Sequence, residues 1–88
     1  MLKIKDDVDL KELAKDYNFI YCSNWREPYE DDNYGNLVFK DSLYINWRED
    51  KIIPRGTITV RQYGEIDEAI TLLYDLIQAG LVEKVEEG

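Results

Sequence analysis

The chain has 88 residues, with 19 acidic and 11 basic side chains, no histidine and one cysteine, Cys22. This length predicts one domain over residues 1–88, because it leaves too little chain for two hydrophobic cores. Histidine is the side chain most often used for proton transfer near neutral pH, and the usual zinc sites need cysteine and histidine in sets of three or four. We therefore expect no enzyme activity, no catalytic residue, no metal and no cofactor.

The charge and the apolar pattern predict where the protein acts. No apolar stretch approaches the roughly 20 residues that span a bilayer, and charged residues within the first seven positions leave no apolar signal-peptide core. One cysteine cannot form an internal disulfide, so nothing indicates an oxidising compartment. We expect a cytoplasmic protein whose net charge of -8 disfavours nucleic acid and anionic lipid and favours basic protein surfaces.

The N-terminal segment predicts a short strand followed by a helix. Residues 2–5 alternate apolar and basic side chains, as a short edge strand does. Asp9 stands three residues before Glu12, which is the spacing of a capping box at a helix start. Asn18 readily takes the left-handed conformation that ends a helix. The pattern predicts a first helix over about 9–17.

The middle of the chain predicts a β-meander. Residues 19–22 are apolar and predict a strand, whereas proline, glycine and three asparagines mark residues 23–36 as a long loop or an irregular hairpin. Residues 37–39 and 43–47 predict two strands joined by a polar turn. Residues 57–63 alternate β-branched and polar side chains and form the clearest strand pattern of the chain.

The C-terminal segment predicts a long second helix. Acidic residues crowd its first turn after Glu65, where the helix dipole favours anions. Gly80 suits the position just past its end, and residues 81–85 are a candidate final edge strand. The apolar residues that recur at helical spacing are Ile66, Ala69, Ile70, Leu73, Leu76 and Ile77.

Together these elements predict an α+β domain. A short N-terminal helix precedes an antiparallel meander of three to four strands, and a long C-terminal helix packs on one sheet face. The opposite face is expected to carry Tyr44, Arg61 and Tyr63. Several strand orders satisfy this pattern.

Two segments combine aromatic and acidic side chains that suit binding to a basic partner. One is the loop 25–34. The other is the tetrapeptide Asn24-Trp25-Arg26-Glu27, which recurs as Asn46-Trp47-Arg48-Glu49 and would present tryptophan and arginine at two equivalent tips. The alternative interpretations are structural. In the loop, Trp25 and one tyrosine close the edge of the core and the carboxylates are only solvated. In the tetrapeptides, two strand ends share similar local chemistry, and each arginine covers a tryptophan or pairs with a glutamate. The candidate partner-binding residues are Trp25, Glu27, Tyr29, Glu30, Asp31, Asp32, Tyr34, Trp47, Glu49 and Asp50.

Other chemistries fit the sequence poorly. A calcium loop that starts at Asp31 has its glycine at the fifth position instead of the sixth, and Ser42 stands where a bidentate glutamate is required. Cys22 has no histidine to activate it and is expected to be a buried, inert thiol.

The two ends of the chain resemble a known group of proteins. Residues 2–13 (LKIKDDVDLKEL), the Asn18-Phe19 helix exit and residues 75–85 (DLIQAGLVEKV) are similar to the opening and the close of small acidic accessory proteins of phages and prophages of Gram-positive bacteria. These segments cover about a third of the chain, and the middle, with both tryptophans, does not match. The resemblance implies an accessory phage protein that acts inside a bacterial cell, and it assigns no activity or site residue.

Two hypotheses follow for the function. The first is an acidic protein-binding module, in one version an inhibitor whose carboxylates imitate phosphates on the basic, nucleic-acid-binding surface of a host protein. The alternative is a structural protein that pairs with a second copy, as a homodimer or part of a larger assembly, through a sheet edge or the aromatic loop.

Overall fold

The structure, a computed structural model, describes residues 1–23, 34–48, 52–62 and 65–85. The predicted α+β fold is confirmed. The described residues form two helices and six strands, which in chain order are β1 (Leu2–Ile4), α1 (Leu10–Tyr17), β2 (Ile20–Cys22), β3 (Asn36–Phe39), β4 (Leu43–Asn46), β5 (Ile58–Val60), α2 (Ile66–Gln78) and β6 (Val82–Lys84).

Helix α1 begins and ends at the predicted residues. The Asp9 side chain accepts hydrogen bonds from the backbone N–H groups of Lys11 and Glu12, at 2.9 and 3.4 Å. These bonds satisfy two donors that have no partner inside the helix. Asn18 ends the helix with φ of 62°, and the next N–H, that of Phe19, donates to the Ala14 carbonyl at 2.9 Å. This turn directs Phe19 into the core.

Helix α2 ends in the motif that Gly80 predicts. Gly80 has φ of 76° and donates its N–H to the Ile77 carbonyl at 3.0 Å, while Leu81 donates to the Leu76 carbonyl at 3.2 Å. This pair of bonds is a Schellman motif, which satisfies the last carbonyls of a helix. No described helix is long and apolar enough to cross a membrane.

Strands β2 to β5 form an antiparallel sheet in sequential order. Leu37 pairs with Ile45, and Ile45 pairs with Ile58, so these side chains share one face of the sheet. Strand β6 does not extend this meander. It pairs antiparallel with β1, where Leu2 lies opposite Lys84, and the two form a separate sheet.

Gly56 joins the two sheets. Its carbonyl accepts a hydrogen bond from Ile4 N–H at 2.8 Å, and its own N–H donates to the Asn46 carbonyl at 2.7 Å. A Cβ at this position would lie 2.8 Å from the Ile4 carbonyl oxygen. Only glycine therefore allows β1 to approach this closely.

The core lies between the helices and the β3–β4 face of the sheet. Helix α2 buries Ala69, Leu72 and Leu76. Ile70 and Ile77 belong to the predicted apolar pattern, yet they are 54% and 43% exposed. The buried core residues are Ile4, Leu10, Leu13, Ala14, Phe19, Leu37, Leu43, Ile45, Ala69, Leu72 and Leu76.

The opposite sheet face carries Tyr44 and Arg61, as predicted. The Arg61 guanidinium lies 4.2 Å from the centre of the Tyr44 ring, and Tyr44 is only 3% exposed. Tyr63 lies outside the described residues, as do most of the predicted 23–36 loop and the segment 49–51.

Candidate functional site

An open cleft of about 450 Å³ lies between the end of α1, the end of β3 and one side of α2. The helical period places Glu68, Leu72 and Asp75 on the same side of α2, at spacings of four and three residues. The left-handed turn at Asn18 leaves Asp16 at the rim while the chain continues into the core. The cleft therefore depends on segments that are distant in sequence.

The floor of the cleft is apolar. Phe39, Leu72 and Tyr17 line it, and Leu72 is 9% exposed. The Phe39 ring is held by Phe19, with ring centroids 5.9 Å apart and the rings tilted by 58°. An apolar surface of this kind favours contact with the methylene stem of a long side chain.

The walls of the cleft are acidic. No basic residue is among those that line it within the described part of the chain. Hydroxyl and amide groups of Thr71 and Asn18 add further acceptors. The four carboxylates are those of Asp16, Asp67, Glu68 and Asp75.

Lys40 stands beside this cleft, in the turn between β3 and β4. Its ammonium forms an ion pair with Glu68 and lies 5.7 Å from the centre of the Phe39 ring. The hydrogen bond that Lys40 donates to Glu68 raises the pKa of Lys40 above its ordinary value of 10.5, and the negative charges of Glu68 and Glu65 add to this effect. Lys40 thus shows that a lysine ammonium fits between a cleft carboxylate and the aromatic floor.

The carboxylates and the apolar floor together suit a cationic side chain. Among the described residues, no group of three or more cysteine, histidine, aspartate or glutamate side chains is arranged to hold a metal. An ammonium or guanidinium group can approach one carboxylate at a time while its stem covers the floor.

Two of the predicted binding residues, Tyr34 and Trp47, meet in an aromatic cluster. Tyr21 stacks on Trp47 with centroids 5.2 Å apart and an interplanar angle of 12°. Tyr34 meets Trp47 edge-on, at 5.9 Å and 70°. Lys11 lies 5.8 Å from the Tyr21 ring centre, and Arg48 lies 5.3 Å from that of Tyr34. A cationic side chain therefore lies against each of the two outer rings of the cluster.

Trp47 helps to close the core. Its side chain is half-buried and packs against the core residues, and its Nε1–H donates to the Cys22 carbonyl at 3.2 Å. These contacts give Trp47 a structural role at the edge of the core. The Cys22 side chain is partly exposed, so the expectation of a buried thiol is wrong.

The other eight predicted binding residues lie outside the described residues. They are Trp25, Glu27, Tyr29, Glu30, Asp31, Asp32, Glu49 and Asp50.

Sequence patterns do not predict the acidic cleft. The helix dipole accounts for Asp67 and Glu68 in the first turn of α2, and no pattern gives Asp75 a role. The seven-residue spacing of Glu68 and Asp75 is the one local signal that places two of these acids on the same side of a helix. No local sequence pattern places Asp16 beside α2, because about 50 residues of sequence separate Asp16 from this helix and only the fold brings the two together.

Comparison with protein-family models, with curated proteins and with solved structures gave no match to this chain.

Proposed function

We propose that this protein is a non-enzymatic binding module that holds a basic segment of a partner protein in the acidic cleft. The observation that carries the proposal is the placement of Lys40, whose ammonium pairs with Glu68 beside the Phe39 ring. A lysine or arginine from a partner would make the same kinds of contact deeper in the cleft, where Asp16 and Asp75 supply carboxylates and the floor is apolar.

The charge of the whole molecule supports the same function. With a net charge of -8 the protein attracts basic surfaces at long range and accelerates the encounter with them. The apolar floor then adds affinity that depends on contact and is weakly affected by salt. We therefore propose a partner segment in which basic residues alternate with apolar ones.

The sequence resemblance sets the cellular context of this proposal. An accessory protein of a phage or prophage would meet its basic partner inside the bacterial host. The inhibitor version, with carboxylates in place of phosphates on a host nucleic-acid-binding surface, requires residues outside the described part of the chain. It remains a narrower form of the same proposal.

A peptide titration followed by NMR tests the proposal directly. The probe is a short peptide of alternating arginine and leucine, and the control peptide carries glutamine in place of every arginine. We expect the arginine peptide to shift the amide signals of Asp16, Thr71 and Asp75, and we expect the affinity to fall as salt is raised. The glutamine peptide should leave these signals unchanged.

Two variants separate a local site from general charge attraction. Asp75→Asn should weaken binding of the arginine peptide by about three- to tenfold. Glu12→Gln removes the same charge from an exposed position of α1 outside the cleft and should change the affinity much less. Lys40→Ala removes the competing ammonium and should strengthen binding. Equal losses in both acid variants, or shifts spread over the whole surface, would reject the cleft as the site.

A further inference from the structure

Helix α2 carries an exposed apolar stripe on the flank away from the cleft. We define the α2 stripe as Ile66, Ile70, Leu73, Tyr74 and Ile77. Ile70, Tyr74 and Ile77 are 54%, 61% and 43% exposed, and Ile66 and Leu73 are half-buried. Successive residues of a helix are rotated by about 100°. On this basis the centre of the stripe lies roughly 110° around the helix axis from the centre of the face that α2 buries.

The spacing of the stripe is that of a helix–helix seam. Ile66, Ile70, Leu73 and Ile77 follow one another at intervals of four, three and four residues, which is the a/d pattern of a coiled coil. Ile70 and Ile77 occupy the a positions and Ile66 and Leu73 the d positions. Apolar residues in this register form a seam along which two helices can pack.

The charges around α2 indicate what kind of partner surface would pack against the stripe. Glu68 and Asp75 line the cleft and lie on the side of α2 away from the stripe. Among the acids of α2 only Asp67, which also lines the cleft, borders the stripe. A basic partner would therefore gain little electrostatic attraction there. A second uncharged apolar stripe is the better match, and a second copy of this chain supplies one.

We propose that the α2 stripe is the interface of a homodimer in which two copies of α2 pack antiparallel about a two-fold axis. The antiparallel direction places Glu65, Asp67 and Glu68 of one copy far from the same residues of the other. It also opposes the two helix dipoles. A parallel pair would bring these acidic first turns together.

The available area predicts a weak dimer. The stripe exposes on the order of 400 Å² of mainly apolar surface per copy, which is in the range of the largest patch on a typical monomer. Two copies with their margins would bury on the order of 1,000 Å², the lower limit for a specific interface. We therefore expect a dissociation constant no tighter than the micromolar range.

This inference does not rest on the proposed cleft function. In the antiparallel dimer the cleft carboxylates of Glu68 and Asp75 face away from the partner copy, because they lie on the side of α2 away from the stripe. Salt should strengthen the dimer, since it screens repulsion between two acidic chains, whereas it should weaken binding of a basic peptide. The two proposals can therefore fail separately.

Sedimentation velocity over a concentration series tests the dimer. The wild-type chain should dimerise below about 100 µM, and Ile70→Gln should weaken dimerisation at least about tenfold. Ile20→Gln is the matched control, because Ile20 is 66% exposed on β2, away from the stripe. Circular dichroism checks that each variant is folded. A chain that stays monomeric at this concentration, or that dimerises equally well with Ile70→Gln, overturns the proposal.

Cross-linking tests the direction of the helices. In a Cys22→Ser background, a mixture of Ile66→Cys and Ile77→Cys chains should form the mixed disulfide, because these positions meet across an antiparallel pair. Disulfides between two Ile66→Cys chains in place of the mixed product would indicate a parallel pair and overturn the antiparallel arrangement.

Discussion

Lys3 is a buried cation, 7% exposed, that two carboxylates hold in place. Its ammonium lies 2.5 Å from Asp6 and 3.7 Å from Glu83. Both acids are themselves exposed to solvent, so the lysine is paired while its partners keep part of their hydration. Burial of this charge is tolerated because the ion pairs offset part of its desolvation.

The pairing predicts how stability responds to acid. The hydrogen bond from Lys3, and then its positive charge, lower the pKa of Asp6 below its ordinary value of 3.8, with a further contribution from Arg55. A carboxyl with a lower pKa in the folded state contributes its stability in full above the unfolded-state pKa and loses it as the pH falls through the folded value. Asp6→Asn should therefore flatten the dependence of the unfolding free energy on pH in the acid range.

Urea unfolding across the acid range measures this effect. Asp7→Asn is the control, because Asp7 makes no ion pair among the described residues. It should leave the slope of stability against pH in this range closer to that of the wild-type chain. If Asp6→Asn and Asp7→Asn flatten the curve equally, the effect belongs to net charge and not to Lys3.

At the scale of elements, Gly56 connects β1 to the meander through two backbone hydrogen bonds. Gly56→Ala should lower the free energy of unfolding by about 2–4 kcal/mol, because φ of 90° is strained for alanine and the new Cβ would meet the Ile4 backbone, which cannot move aside. Chemical denaturation measures the change.

Gly80→Ala separates the contact from the backbone conformation. Gly80 also has a positive φ, of 76°, but a Cβ there would meet no atom within 4 Å. This variant should cost about 1 kcal/mol. Equal losses at the two glycines would show that the close approach of β1 contributes nothing.

The ends of the elements were predictable because their signals are local. Asp9 begins α1, Asn18 ends it, and Gly80 ends α2, as predicted. Each of these residues acts on backbone groups only a few residues away. Which face of α2 packs on the sheet was not predictable. Apolar residues cover a broad arc of this helix, and only the sheet decides that Leu72 is buried while Ile70 is exposed.

At the scale of the whole molecule, contacts between distant segments determine two features that sequence patterns do not predict, namely the strand that pairs with β6 and the acidic cleft. The meander follows from short connections, whereas β6 pairs with β1 at the opposite end of the described chain. The acidic cleft is similar, because Asp16 and Asp75 belong to different helices. Single-sequence patterns describe one element at a time, so they predict neither the partner of β6 nor the cleft.

The cleft also predicts a conflict between stability and binding. Asp75 lies near other carboxylates and one turn from the C-terminal end of α2, where the helix dipole disfavours a negative charge. Asp75→Asn should therefore raise the free energy of unfolding by about 0.5 kcal/mol at low salt, with a smaller gain at high salt. The same variant is expected to weaken binding of a basic peptide.

Glu83→Gln removes one acidic charge from a place where it is paired. The Glu83 carboxylate lies 3.7 Å from the buried Lys3 ammonium. Glu83→Gln should therefore lower the free energy of unfolding, whereas Asp75→Asn should raise it. Urea unfolding of both variants at two salt concentrations measures the contrast. A stability loss in Asp75→Asn would mean that its carboxylate makes a favourable contact within the free protein. The cleft would then have less negative charge available for a partner, since part of it would already be neutralised.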